Sequence, residues 1–163
     1  MAHPTGYTRA QIALHWVTVA LVALQFILHD TMSDAWEAVE DGAAVVISPL
    51  VSQHVFAGAL IAILTFVRLG LRLTHGAPPP PEAEHPALKV LGHAAHWAFY
   101  ALLILLPVSG AVAWFNAVEP AAEAHEVLTT LLLALIALHV AAALFHQFIL
   151  KTNLLARMKR PIK

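Results

Sequence analysis

Four long apolar segments dominate the pattern of hydrophobic and polar positions along the chain. They cover about residues 10–29, 51–73, 91–115 and 127–150, and most of the charged and proline residues lie between or beside them. A helix needs about 20 apolar residues to cross a bilayer, so each segment is long enough to span it. The pattern therefore predicts an all-α, integral-membrane four-helix bundle, with residues 1–163 forming a single membrane domain.

The composition supports this prediction and excludes several kinds of site. The chain is 60% hydrophobic and only 12% charged, with a mean hydropathy of +0.73, which is outside the range of soluble domains. None of the 163 residues is cysteine, which excludes disulfides, thiolate-bound iron–sulfur clusters and covalent c-type haem attachment. The first apolar segment lacks a clear cleavage site, so we expect a retained span rather than a signal peptide.

The charged residues separate into two groups when the four spans are drawn. All nine basic residues fall on one side, here called the basic end: Arg9, Arg68, Arg72, Lys89, Lys151, Arg157, Lys159, Arg160 and Lys163. Eight carboxylates fall on the other side, here called the acidic end: Asp30, Asp34, Glu37, Glu40, Asp41, Glu119, Glu123 and Glu126. The positive-inside rule then predicts that the basic end and both termini are cytoplasmic.

The two longer connections have distinct compositions. The 30–50 connection is acidic and is expected to form a short interfacial helix before Pro49. The connection at 74–88, on the basic side, contains five prolines and is expected to be an extended strap rather than a helix.

Histidine is the main candidate for chemistry inside the spans. The chain has 11 histidines, and ionisable side chains within a membrane usually face a bundle interior where they have a partner. His125 and His139 are 14 residues apart on the fourth segment, so they share one helix face at about 21 Å along the axis. His15 and His54 lie on the first and second segments. This set is suited to ligating two metal centres near opposite membrane faces, and neutral imidazole is a good axial ligand for haem iron.

Two other interpretations of these histidines remain open at this point. Zinc also binds imidazole, although zinc sites usually include carboxylates or cysteines, which are absent from these spans. Imidazoles can also hydrogen-bond between membrane helices without any cofactor, but such bonds do not require the matched spacing seen here.

The chain resembles the bacterial cytochrome b561 family over nearly its whole length, from about Arg9 to Met158. The resemblance rests on "RAQIALHW", "SQHVFAGALIAILTFVRLGLRL", "GHAAHWAFYALLILLPVSG" and "AHEVLTTLLLALIALHVAAALFHQFILKTNLLARM". It implies a four-helix bundle that carries two non-covalent b haems and passes electrons across the bacterial inner membrane to or from quinone. The expected localisation is therefore the inner membrane, as a multi-pass protein.

The resemblance also implies a role for each histidine of the spans. His15 and His139 would ligate the iron of a cytoplasmic-side haem, and His54 and His125 that of a periplasmic-side haem. Depth alone would let His146 compete with His139. The separation of His125 from His146 would be about 31 Å, which would leave the haems far apart, so His139 is preferred.

The remaining candidates lie at the basic end. By resemblance, His96 and His146 would lie near a quinone site, and His93 is a weaker candidate. Arg68 and Arg72 would neutralise haem propionates through bidentate pairs or would serve only as topological charge. Tyr100 would hydrogen-bond a cofactor or, as we favour, pack against its neighbours.

Three functions are therefore compared. The first is a di-haem oxidoreductase that takes electrons from a periplasmic donor and reduces ubiquinone; superoxide is one such donor, although an acidic end suits a cationic protein better than an anion. The second is a haem-carrying membrane-anchor subunit of a periplasmic dehydrogenase or hydrogenase. The third is a haem-free structural or transport bundle. Lipid is an expected partner in each case, no nucleic acid is expected, and no residue is assigned as catalytic.

Overall fold

Helices account for all the regular secondary structure in the computed structural model, which describes residues 4–81 and 84–161. In chain order they are α1 (Arg9–Ile27), α2 (Asp30–Glu40), α3 (Pro49–His75), α4 (Pro86–Asn116), α5 (Glu119–Phe148) and α6 (Leu154–Arg157). Helices α1, α3, α4 and α5 are long and apolar enough to cross a membrane. The all-α membrane fold predicted from the sequence is therefore confirmed, while the cytoplasmic location of the termini stays a prediction from charge.

Local sequence signals define where the spans begin. The Thr8 hydroxyl accepts the Gln11 backbone N–H at 3.2 Å, and the Gln11 side chain accepts the Thr8 N–H at 2.9 Å, which forms a capping box before α1. The Ser48 hydroxyl accepts the Val51 N–H at 3.2 Å, and Pro49 occupies the first turn of α3.

Two helices begin earlier in the chain than the apolar segments from which they were predicted. Helix α4 begins at Pro86 rather than near residue 91, and α5 begins at Glu119 rather than near residue 127. Their first turns are more polar than the rest, so hydropathy marks the part of a helix that crosses the membrane rather than where the helix begins.

The connections differ as their compositions suggest. The acidic connection contains α2, and residues 77–81 of the proline-rich connection are outside any helix. The extended strap predicted for 74–88 is wrong at both ends, because residues 74–75 belong to α3 and 86–88 to α4; residues 82 and 83 lie outside the described residues.

The bundle has a small interior and a large apolar exterior. Helix α4 packs against α3 and α5, and α3 also packs against α1. The core cluster consists of Ile61, Leu103, Leu106 and Leu132. Large apolar side chains elsewhere face outward; Phe56, for example, is 74% exposed. This distribution suits a protein whose surroundings are lipid, in which apolar surface does not need to be buried.

Three long-range hydrogen bonds close the basic end of the bundle. The Gln11 amide donates to the Gly76 carbonyl at 3.1 Å, and the Arg157 guanidinium donates to the Pro79 carbonyl at 2.7 Å. The Trp16 indole donates to the Met158 carbonyl at 2.9 Å. Together they join α1, the proline-rich connection and the C-terminal segment into one layer.

Candidate functional site

The histidines of α3 and α5 meet near the acidic end of the bundle. The ring centroids of His54 and His125 are 6.4 Å apart, with an interplanar angle of 60°. Two imidazoles on opposite sides of one metal ion, each with a metal–nitrogen bond of about 2 Å, have centroids roughly 6 Å apart. The spacing of this outer pair therefore fits one iron atom held between two axial nitrogens.

Helix α4 sets the orientation of His125. Its Nδ1 lies 2.9 Å from the Leu106 carbonyl oxygen and 3.3 Å from the Ser109 hydroxyl. A carbonyl only accepts, so Nδ1 carries the proton and donates it, which leaves Nε2 as the lone-pair nitrogen. Hydrogen bonds of this kind orient metal-binding histidines.

Gly110 provides the space in which the His125 ring lies. A Cβ at this position would be 3.0 Å from both Cε1 and Nδ1 of His125, closer than side-chain atoms normally approach. The glycine therefore allows the imidazole to pack directly against the backbone of α4.

His54 is held through its backbone by a glutamine pair. The Gln25 amide donates to the His54 carbonyl at 2.9 Å, and the Gln53 amide donates to the Gln25 side-chain oxygen at 3.2 Å. In contrast, Nδ1 of His54 is buried and has no hydrogen-bond partner among the described residues. Buried polar atoms are normally paired, so an unpaired imidazole nitrogen beside a second imidazole fits a cofactor site.

The inner candidates, His15 and His139, have different surroundings. Nδ1 of His15 is 3.2 Å from Nη2 of Arg68, and the His15 ring stacks edge-on with Trp16 at 5.2 Å. A guanidinium can only donate, so Nδ1 of His15 is the acceptor and a neutral ring carries its proton on Nε2. The lone pair of His15 therefore points at Arg68 in this structure.

The His139 ring contacts residues of α4. Its centroid is 6.0 Å from that of His96, at an interplanar angle of 68°, and 5.3 Å from that of Phe99. The spacing of His96 from His139 is close to that of the outer pair. On ring geometry alone, His96 is thus a second possible partner for His139 beside His15.

His146 is occupied at both ring nitrogens. Its Nε2 is 3.0 Å from a Glu84 carboxylate oxygen, and its Nδ1 is 3.0 Å from the Thr152 hydroxyl. A histidine bonded in this way has no nitrogen available for iron, which weighs against His146 as a competitor of His139. Glu84 lies 62 residues before His146 in the chain, and no sequence pattern links the two positions.

Arg72 belongs to an aromatic cluster at the basic end. Its guanidinium carbon lies 5.8 Å from the Trp97 ring centroid and 5.9 Å from that of Tyr100, and the two rings are 5.9 Å apart. These are cation–π distances, so Tyr100 packs in this cluster as expected. Burial raises the pKa of the nearby Tyr7 and outweighs the opposing effect of Arg72, which keeps that phenol neutral.

An open groove lies beside this cluster. It is lined by the strap residue Pro80 and by Lys89, Val90, His93 and Trp97 of α4, and Val90 and Trp97 are exposed on the outer surface of the bundle. The sequence indicates His93 as a weaker candidate for the quinone site. It does not predict the groove, because the groove depends on where the strap lies.

Clusters of three or more His, Asp or Glu side chains suited to a metal ion do not occur in the described part of the chain. A zinc site built from three protein ligands is not formed by those residues, whereas an axially ligated haem needs only two imidazoles.

Paired imidazoles within a four-helix membrane bundle fit a class of protein, the membrane-bound b-type cytochromes, in which histidines hold the haem iron. The sequence model of one such family, the prokaryotic cytochrome b561 family, matches residues 6–161. The chain therefore belongs to the prokaryotic cytochrome b561 family. It is a membrane b-type cytochrome of electron transfer, with haem b as its cofactor and the bacterial inner membrane as its location.

Similar proteins match over almost their full lengths. The chain is 37% identical to cytochrome b562 of Cereibacter sphaeroides over 164 residues, which cover 99% of each protein. It is 29% identical to a protein of Yersinia pestis named probable superoxide oxidase CybB, over 93% of this chain and 94% of that one. It is also 29% identical to cytochrome b561 homolog 1 of Escherichia coli strain K12, over 93% of this chain and 96% of that one.

Proposed function

We propose that this protein is a di-haem cytochrome that conducts electrons from a donor at the acidic end to ubiquinone at the basic end. The acidic end would be periplasmic and the basic end cytoplasmic, as the positive-inside rule predicts. The observation that carries the proposal is the outer pair. His54 and His125 have the spacing of two axial ligands, and the bond from His125 to Leu106 leaves Nε2 with a lone pair.

His15 and His139 are the proposed ligands of the inner haem. Haem supplies one-electron chemistry when bound, and the chain supplies the axial nitrogens and the surrounding charge. Arg68 supports this assignment, because a propionate would be a stronger acceptor for its guanidinium than the neutral His15 ring. Transfer of Arg68 to a propionate would free His15 to bind iron.

Arg68 is therefore the preferred propionate partner, and Arg72 the weaker one. The guanidinium carbon of Arg72 already lies 5.8 Å from the Trp97 ring centroid and 5.9 Å from that of Tyr100. A propionate would have to compete with two cation–π contacts there.

The quinone site is proposed at the basic end, near His96 and His146. His146 is buried and hydrogen-bonded to a carboxylate, and the groove beside Lys89 and His93 is open at the surface of α4. Imidazole is suited to donating protons to a reduced quinone, because one ring nitrogen can release a proton while the other accepts one.

Two electron donors are candidates for the acidic end, superoxide and a periplasmic protein. The superoxide oxidase name of the Yersinia relative supports superoxide. All eight carboxylates of this end belong to exposed residues, which favours a cationic protein and supports the second candidate function, an anchor subunit for a periplasmic dehydrogenase or hydrogenase.

Stopped-flow spectroscopy of the purified haem-loaded protein tests the proposal. Two haems per chain and a b-type α band are expected, and the reduced haems should be re-oxidised by added ubiquinone. Reduction by superoxide within milliseconds would support a superoxide-oxidising cytochrome. Reduction only by a co-purified periplasmic protein would support the anchor subunit, and a haem-free preparation that takes up no haem would contradict both.

A further inference from the structure

Among the carboxylates of the described residues, Glu84 has a side chain that the bundle encloses. Its side chain is only 6% exposed, whereas every carboxylate at the acidic end belongs to an exposed residue. Removing a carboxylate from water is costly unless it is paired and hydrogen-bonded, and its partner here is Nε2 of His146 at 3.0 Å. An ionisable pair enclosed within a membrane bundle is a candidate for function.

Thr152 extends this pair into a row of three side chains. Its hydroxyl lies 3.0 Å from Nδ1 of His146, and its backbone N–H donates to the His146 carbonyl at 3.0 Å. Lys151 and Asn153, on either side of Thr152, have φ angles of 53° and 56°, which turn the chain back toward α5 after its last turn. Both of these neighbours are exposed, so the Thr152 end of the row is close to water and the Glu84 end is enclosed.

The strap that carries Glu84 is fixed on its N-terminal side. The Gly76 and Pro79 carbonyls accept hydrogen bonds from Gln11 of α1 and Arg157 of α6. These bonds hold Gly76 and Pro79 against the bundle, and the contact of Glu84 with His146 adds a further attachment at the basic end.

We propose that Glu84 and His146 form a proton-donating pair that supplies the quinone bound at the basic end. This inference rests on the proposed quinone reduction. Each quinone gains two electrons from the haems and two protons from the pair, and becomes a quinol. Each proton that the pair releases is replaced from water at the basic end through the Thr152 hydroxyl. His146 serves as the shuttle because it can accept a proton at one ring nitrogen and release one at the other.

The test measures haem re-oxidation, which does not depend on the donor. The haem-loaded protein is reduced with dithionite and mixed with a short-chain ubiquinone or, separately, with ferricyanide. Ferricyanide takes electrons without protons. Glu84→Gln should slow re-oxidation by quinone roughly a hundredfold, the typical contribution of a positioned proton donor, and leave re-oxidation by ferricyanide and the haem content unchanged.

Two further variants complete the design. Glu84→Asp keeps a carboxylate and should recover much of the quinone rate, whereas Glu119→Gln removes an exposed carboxylate at the acidic end and should match the unmodified protein. Formate, a small weak acid, should partly restore the quinone rate of Glu84→Gln. This rescue would not be expected of a residue that only holds the strap in place.

The outcomes separate the two proposals. If unmodified protein is re-oxidised by quinone and Glu84→Gln is equally fast, the proton-donating pair is wrong and quinone reduction stands. If Glu84→Gln loses haem or slows equally with ferricyanide, Glu84 has a structural role and the pair is again wrong. If unmodified protein reacts with ferricyanide but not with quinone, the proposed quinone reduction itself fails.

Discussion

The two ends of the bundle hold their histidines in opposite ways. At the acidic end, Nδ1 of His125 donates to a backbone carbonyl, so the ring presents a lone pair at Nε2. At the basic end, Nδ1 of His15 accepts from the Arg68 guanidinium, so the lone pair is already in use. The partner of His125 is the Leu106 carbonyl, which is fixed in α4. The partner of His15 is the Arg68 guanidinium, which lies at the end of a flexible side chain and can move to an anion.

The difference suggests two modes of cofactor binding in one fold. In the proposed outer site, α4 sets the orientation of His125 through the Leu106 carbonyl. In the proposed inner site, Arg68 hydrogen-bonds Nδ1 of His15, so iron binding through that nitrogen would require the guanidinium to take another partner. We therefore expect the outer site to depend on helix packing and the inner site on electrostatics.

Loss of an outer ligand should produce the largest effect. His125→Ala removes one of two axial nitrogens, so the haem content should fall from about two per chain to about one, with the inner haem retained. The pyridine haemochrome assay measures this ratio. His29→Ala, which removes an exposed histidine beyond the end of α1, is the control and should keep both haems. Retention of two haems by His125→Ala would break the outer assignment.

A second pair of variants decides between His15 and His96 as the inner ligand. His15→Ala should lose the inner haem, since no other residue on α1 offers an imidazole within the span. His96→Ala should keep both haems and slow only the reaction with quinone. The opposite result, with haem lost from His96→Ala alone, would assign His96 and His139 as the inner pair, as their ring spacing of 6.0 Å permits.

A methyl group at Gly110 should have an intermediate effect. Gly110→Ala places a Cβ 3.0 Å from the His125 ring, and overpacking of this kind typically costs about 1–3 kcal/mol. Haem titration of the apoprotein should show weaker binding at the outer site and unchanged binding at the inner site. Gly70→Ala is the matched control, because nothing lies within 4 Å of its added Cβ. Equal affinities for both variants would show that the His125 ring can shift without cost.

The smallest expected effect is a change in potential at the inner haem. Arg68→Gln removes a positive charge that favours the reduced haem, so the potential should fall by roughly 60 mV, equivalent to a tenfold change in a one-electron equilibrium. Arg72→Gln should shift it less, because that guanidinium is held by Trp97 and Tyr100. Redox titration followed in the α band measures both. A larger shift at the outer haem than at the inner one would contradict the comparison.

The four spans were predictable because their signal is local. Length and hydropathy decide whether a segment can cross a bilayer, and the spacing of His125 from His139 depends only on the helical repeat. The first turns of α4 and α5 were not predicted, since polar residues at a helix end do not differ from those of a loop by hydropathy alone.

The finer features of the site depend on how helices dock. The bond from His125 to the Leu106 carbonyl joins α5 to α4, and nothing in either segment specifies the register between them. The contact of Arg68 with His15 likewise depends on the register between α3 and α1. The sequence alone assigns Arg68 to haem propionates or to topological charge. Glu84 was not singled out at all, because its burial follows from the path of a proline-rich strap.

The layer at the basic end bears on how a ligand would reach the proposed quinone site. The strap and the C-terminal segment cover the bundle through bonds from Arg157 to Pro79 and from Trp16 to Met158. The groove lies on the outer surface of the bundle, between Pro80 and the exposed Trp97 ring of α4. A quinone with a long isoprenoid tail dissolves in the bilayer, so entry and exit of the proposed substrate would be lateral, by diffusion within the membrane plane.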